Sequence, residues 1–220
     1  MFDSIAPVYD RMNTLMTAGL DGSWRRSAVR ATGLGSGGAA LDVACGTGKL
    51  TGELAARVGP AGRVVGVDLS PAMIEAARRN LADLSWVELQ VGNALSLPVE
   101  DGSFGAATIA FGLRNLSDFE AGFREMGRAV RSGGRVVCLE LSLPKSRAAA
   151  RLYTAAFRIM APAMGALFGR RSAYAYLPHS LDGFQRAEEI AATMTRAGLR
   201  DVRFRRLALG AVAVHVGTVA

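Results

Sequence analysis

A chain of 220 residues, half of them hydrophobic and a fifth charged, has the composition of one globular domain with a substantial core, which excludes disorder. The formal net charge of +7 favours anionic partners, nucleic acid or lipid headgroups, without choosing between them. No uncharged apolar stretch reaches the roughly 18 residues of a membrane span, and the start Met1-Phe-Asp-Ser-Ile-Ala6 lacks the basic opening and apolar run of a secretory leader, so a cytoplasmic location is expected.

Residues 7–30 read as an N-terminal helical cap carrying Tyr9, Met12, Leu15, Met16 and Trp24. Gly33 to Gly38 then lead into an apolar strand over 39–44, a glycine turn, and a helix over 49–58. A strand over 63–68 is followed by a helix over 71–82, which Ser70 caps and Pro71 opens. Strands are predicted over 86–91, 105–110 and, after Gly133-Gly134, over 134–141, with a helix over 118–130 capped by Asp118. Beyond Pro144 lies a long apolar-basic helical insertion over 146–169, interrupted by Arg158, and then a helix over 185–197. Two last strands, 201–207 and 211–219, turn tightly around Leu209-Gly210 as an antiparallel hairpin. Such alternation predicts an α/β fold: a mainly parallel seven-stranded sheet, helices on both faces and a C-terminal antiparallel hairpin.

The glycine turn, Cys45-Gly46-Thr47-Gly48 after Leu41-Asp42-Val43-Ala44, is the strand–turn–helix geometry by which an open sheet holds a nucleotide-like ligand. Gly46 and Gly48 allow a tight bend and close ligand approach, and the helix N-terminus offers N–H groups to an anion. Asp68, closing the second strand, stands where an adenosine ribose needs its hydroxyls held. A dinucleotide fingerprint wants a third glycine at position 51, which is Thr51. Asp42, four residues before Gly46, suits a ligand with an ammonium group and suits a pyrophosphate poorly. S-adenosylmethionine (SAM) is therefore the better reading than NAD. Leu69, Met73 and Ala44 flank the same strand ends and join the expected cofactor contacts.

After the fourth strand, Ala110-Phe-Gly-Leu-Arg-Asn-Leu-Ser-Asp118 faces the ligand crevice, where Gly112 lets the chain turn and Arg114 and Asn115 supply donors for an oxygen-bearing substrate. Cys45 and Cys138 make no metal or CxxC pattern, so buried reduced thiols and no metal are expected. The arginine clusters lack an interleaved aromatic array, and no Asn/Asp-Pro-Pro-aromatic run follows the fourth strand, which argues against nucleic acid.

Nearly the full length resembles the ubiquinone/menaquinone biosynthesis C-methyltransferase family. The resemblance is carried by Tyr9-Asp-Arg-Met-Asn13, Trp24-Arg25, the 41–48 turn, Asn93-Ala94 with Leu97-Pro98, and above all Phe111-Gly-Leu-Arg-Asn115. Gly133-Gly-Arg135, Leu139-Glu-Leu-Ser142, Tyr174-Ala-Tyr-Leu177 and His215 support it. It implies the Rossmann-like fold of class I SAM-dependent methyltransferases and methylation of a ring carbon on a prenylated hydroquinone. It divides the chain into a cap (1–38), a SAM-binding core (39–142), a substrate-side insertion (143–184) and a C-terminal helix and hairpin (185–220). It implies cofactor contacts at Thr47, Asp68, Asn93, Ala94 and Ala110. Lys49 stands where relatives usually have aspartate, and Asp21-Gly22 replaces a frequent His-Arg.

For such a reaction Arg114 is expected to stabilise a substrate phenolate, since a guanidinium stays protonated and cannot be the base. Asn115 orients the same oxygen, Tyr9 bonds a substrate oxygen, and His215 is the candidate proton acceptor. The expected partners are a lipophilic hydroquinone and, through the basic insertion with Arg170 and Arg171, the inner face of a membrane. A homodimer is compatible with this reading, and no nucleic acid is expected.

Overall fold

The computed structural model describes Thr14, Thr17, residues 19–146, 148, 150, 151, 153–155 and 186–220. Tyr9, Met12, Leu15, Met16, Arg170, Arg171, residues 174–177 and most of the insertion lie outside the described residues.

Strand β1 (Ala39–Val43) is the middle of the molecule, and its Ala-Leu-Asp-Val run is buried on both faces, as a central parallel strand must be. It pairs in parallel with β2 (Arg63–Asp68) on one side and with β4 (Phe104–Ala110) on the other. Beyond them lie β3 (Val87–Val91), β5 (Val130–Leu141), β6 (Arg200–Leu207) and β7 (Val212–Thr218), in the order β3-β2-β1-β4-β5-β7-β6. β7 runs antiparallel to both β5 and β6, which realises the expected hairpin.

Helices α1 (Asp21–Thr32) and α2 (Lys49–Val58) cover one face, burying Trp24, Ala28, Leu50 and Leu54 against Val64, Val137 and Leu139. On the other face α4 (Phe119–Ala129) and α5 (Ala187–Arg196) bury Phe123, Met126, Ile190 and Met194 with Phe104 and Ile109. The buried residues of α4, Gly122, Phe123, Met126 and Ala129, recur at helical spacing, and each large one contributes about 1.5–3 kcal/mol. Helix α3 (Pro71–Asn80) starts as predicted: Ser70 Oγ accepts from the Met73 N–H at 3.2 Å.

Among the described residues of the cap, Thr14 is helical and α1 runs over Asp21–Thr32, with Gly19 at φ +75° just before it. One element departs from the sequence reading for a local reason. Strand β5 begins at Val130 rather than at residue 134, since Val130 pairs with Phe104 and a register shift follows before Ala106 pairs with Arg135. At the hairpin tip Ala208, Leu209 and Gly210 are all left-handed (φ +47°, +56° and +96°), which reverses the chain in one short turn. The outer edge strand β6 exposes Arg200, Arg203 and Arg205, a like-charged rim that discourages edge pairing.

Candidate active site

Strand order reverses between β1 and β4, and ligands of open sheets bind at the carboxyl ends of strands at such a point. The backbone is strained there. Ala44 after β1 and Phe111 after β4 are non-glycine residues at φ +53° and +57°, a conformation retained where surrounding structure enforces it. The two loops touch: a β-carbon on Gly112 would stand 2.6 Å from the β-carbon of Ala44, so only glycine fits.

Between these loops opens a cavity of about 500 Å3, within the size range of small-molecule sites. Of the expected cofactor contacts, Ala44, Gly46, Asp68, Leu69, Met73, Asn93, Ala94 and Ala110 line it. Asn115 lines it too, on the side of the Phe111 loop. Asp68 organises the near wall: Oδ2 accepts from the Gly46 N–H at 2.8 Å and Oδ1 from the Ser70 N–H at 2.9 Å. One carboxylate thereby fixes the glycine turn to the start of α3. A β-carbon on Gly46 would meet nothing within 4 Å, so the backbone of the turn stays open to a ligand.

Three expected contacts do not line the cavity. Asp42 is buried beneath the turn, where Oδ2 accepts from the Thr51 hydroxyl at 2.7 Å and Oδ1 from Thr108 at 2.8 Å. Burial pushes its carboxyl up to about 6, against the pull of those two hydroxyls. It anchors α2 to β4 from beneath the turn. Thr47 is also buried, and its carbonyl accepts from Asn80 Nδ2 at 2.9 Å. Gly48 is glycine for packing: a β-carbon there would come within 2.7 Å of Leu81 Cδ1.

His215 also stands apart from the cavity. It pairs with Cys138 in mid-strand, is fully buried, and its Nε2 donates to the Ala187 carbonyl at 2.9 Å, with the Phe204 ring 5.4 Å away. Desolvation lowers its pKa and keeps it neutral. It is a core histidine that ties β7 to α5, and it does not line the cavity.

Arg114 stands in a 3-10 turn, Leu113–Asn115, whose neighbours Gly112 and Asn115 wall the cavity. Its Nη1 donates to Glu140 Oε1 at 2.6 Å, with side-chain exposures of 15% and 5%. Glu140 also accepts from the Leu141 N–H at 2.9 Å, so the carboxylate is fixed to the end of β5. Tyr153, which sequence reasoning missed, is a further neighbour: burial raises its phenol and the charge of Arg114 pulls it back down. Its place in an insertion read as a uniform apolar-basic helix carried no signal of that proximity. Cys45 and Cys138 are free, buried thiols whose pKa burial pushes up, and no metal-binding cluster occurs among the described residues.

A cavity of this size, an open glycine backbone, a carboxylate on its wall and apolar Met73 and Leu69 fit a nucleoside-bearing cofactor such as SAM. The profile of the ubiE/COQ5 methyltransferase family matches residues 1–219. The chain belongs to this family. The enzyme is a SAM-dependent methyltransferase, and its similarity to named relatives is extensive. It is 42% identical to the ubiquinone/menaquinone biosynthesis C-methyltransferase UbiE of Citrifermentans bemidjiense over 99% of this chain and 94% of that protein. It is 41% identical to the demethylmenaquinone methyltransferase of Desulfitobacterium hafniense, over 98% of this chain and 87% of that one. A solved SAM-dependent methyltransferase from Aquifex aeolicus superposes with a TM-score of 0.67 at 18% identity, covering 89% of each chain, which shows the shared fold.

Proposed function

We propose that the enzyme methylates a ring carbon of a prenylated hydroquinone, demethylmenaquinol or the matching ubiquinone precursor, with SAM as donor. The observation that carries this reading is Arg114, held by Glu140 in the loop that walls a cofactor-sized cavity. Relatives named for this reaction at about 40% identity support it.

Bound SAM supplies an electrophilic methyl group on its sulfonium. Asp68 would take the ribose hydroxyls, Asn93 and Ala94 the adenine edge, and Gly46 with the N-terminus of α2 the methionyl carboxylate. Thr47 and Gly48 contribute by shaping that turn, and Asp42 by holding it from below.

A ring carbon becomes nucleophilic when a neighbouring hydroxyl gives up its proton to water. Its bond to the methyl would form as the donor's S–CH3 bond breaks, leaving S-adenosylhomocysteine, and loss of the ring C–H proton to water would restore the aromatic ring. Arg114 lowers the pKa of that hydroxyl by stabilising the phenolate, so ionisation near neutral pH needs no strong base. Asn115 orients the same oxygen, and Glu140 aims the guanidinium. Cation and anion neutralise each other as the methyl moves, which a water-poor site favours. Tyr9 is assigned a hydrogen bond to a substrate oxygen, and the insertion a path for the isoprenoid tail at a membrane surface. No helix among the described residues is long and apolar enough to cross a membrane.

Expression in a bacterium lacking its own demethylmenaquinone methyltransferase tests the reading. Restored menaquinone is expected. Persistent demethylmenaquinone beside well-expressed protein would refute it.

A further inference from the structure

Helix α1 reaches both loops of the site through one carboxylate, Asp21, in its first turn. Asp21 Oδ2 accepts from Arg25 Nη1 at 2.8 Å and lies 3.6 Å from Lys49 Nζ, while Oδ1 accepts from the Thr17 hydroxyl at 3.3 Å. The carboxylate is nearly closed to solvent, at 7% exposure. Lys49 opens α2 directly after the glycine turn, and its ammonium also donates to Thr14 Oγ1 at 3.0 Å. A cation at a helix N-terminus is opposed by the dipole, and no acid in the first turn of α2 offsets it. Asp21 supplies that negative charge from another helix.

The second cation leads to the other loop. The Arg25 guanidinium stacks on Phe111, 5.3 Å from the ring centroid, and Trp24 lies 6.4 Å from the same ring. Phe111 is the strained residue on the cavity wall, three positions before Arg114. Asp21 thus holds one cation that belongs to the cofactor turn and another that rests on the substrate-side loop.

We propose that Asp21 is a positioning residue that couples the cofactor turn to the Phe111–Asn115 loop. The proposal deepens the methyltransferase reading and rests on it. Without the charge on Asp21, Arg25 and Lys49 lose the carboxylate they share, and both loops shift together.

Calorimetric titration with S-adenosylhomocysteine, beside kinetics with demethylmenaquinol, tests this on wild type, Asp21→Asn, Lys49→Gln and the double variant. Asp21→Asn is expected to weaken the nucleoside by about tenfold and to lower kcat/KM for the acceptor as well, as loss of a buried charged hydrogen bond would. Lys49→Gln is expected to weaken it by about threefold alone and to cause no further weakening in the Asp21→Asn background, the signature of a shared interaction. Multiplying effects, or an Asp21→Asn protein with unchanged affinity, would overturn the coupling. If Asp21→Asn does not fold, Lys49→Gln combined with Arg25→Lys decides in the same way: non-additive losses support the proposal and multiplying ones overturn it. Failure of wild type to bind the nucleoside would instead overturn the cofactor reading.

Discussion

Arg114 and Glu140, one in the turn after β4 and the other near the end of β5, form a 2.6 Å ion pair largely closed to water. Parallel pairing of β4 with β5 places Ala110 beside Leu139, so the two strand ends deliver these side chains to the same spot. The guanidinium is therefore fixed before substrate arrives, and an oriented donor costs no reorganisation when negative charge develops on a phenol oxygen. Arg114→Lys keeps the charge and the tie to Glu140 while losing the planar fork. It should lower kcat by about 10²–10³-fold with little change in nucleoside affinity, since removal of one oriented donor has effects of that size. Glu140→Ala should also destabilise the fold by about 1–3 kcal/mol in urea titrations, because it removes a charged hydrogen bond largely closed to water. Full turnover in Arg114→Lys would remove the assigned role.

The two glycines of the turn should fail in different ways. Gly48→Ala brings a β-carbon to 2.7 Å from Leu81 Cδ1 at φ +85°, so its expected loss is about 1–3 kcal/mol of stability. Gly46→Ala meets open space at φ +56°, beside the cavity, so its larger effect should fall on nucleoside affinity. Melting temperature and calorimetric affinity, measured on both variants, separate the two. Equal effects on both readouts would contradict the assignment.

Asp42 gives a pH signature with a definite sign. Its folded-state pKa of about 6 exceeds the ordinary 3.8, so the fold favours the protonated form. Its contribution is greatest below pH 3.8, declines as pH rises toward 6, and is constant beyond, a total of ~3 kcal/mol. Asp42→Asn should therefore gain stability relative to wild type as the pH rises from about 4 to about 7. Urea unfolding at the two pH values checks this, and a constant difference would show that burial does not govern the carboxylate.

His215 should matter to the fold and not to the chemistry. Burial depresses its pKa, so the stabilisation it supports is present above its ordinary value of 6.5 and is lost as pH falls through the lowered one. His215→Gln is expected to melt earlier yet keep the wild-type pH profile of kcat. A lost limb in that profile would restore the histidine as proton acceptor.

Local patterns made the architecture readable from the chain. The Ser70-Pro71 start, the Asp118 cap, the mainly apolar β1 and the two-residue alternation of β6 each state their element without help from distant residues. The ends of β1, β2 and β4 are likewise visible as a glycine turn, an acid and a Phe-Gly-Leu-Arg-Asn run, of which Gly46, Asp68, Phe111, Gly112 and Asn115 line one cavity while Arg114 does not. What sequence spacing could not convey is which way a side chain leaves its strand once neighbours are packed. Asp42 turns toward Thr51 and Thr108, 9 and 66 residues away, and does not line the cavity. Glu140 finds Arg114 only because β5 lies beside β4, and His215 is enclosed by α5 only after that helix docks. These are tertiary facts, and no local signal encodes them.

The most direct measurement is methyl transfer by the purified enzyme from SAM carrying a 13C-labelled methyl to demethylmenaquinol, with the product read by NMR. The account predicts a labelled methyl on the ring carbon, formed by wild type and nearly abolished in Arg114→Lys. Label on a hydroxyl oxygen, or no transfer to the hydroquinone while the enzyme binds S-adenosylhomocysteine, would contradict it.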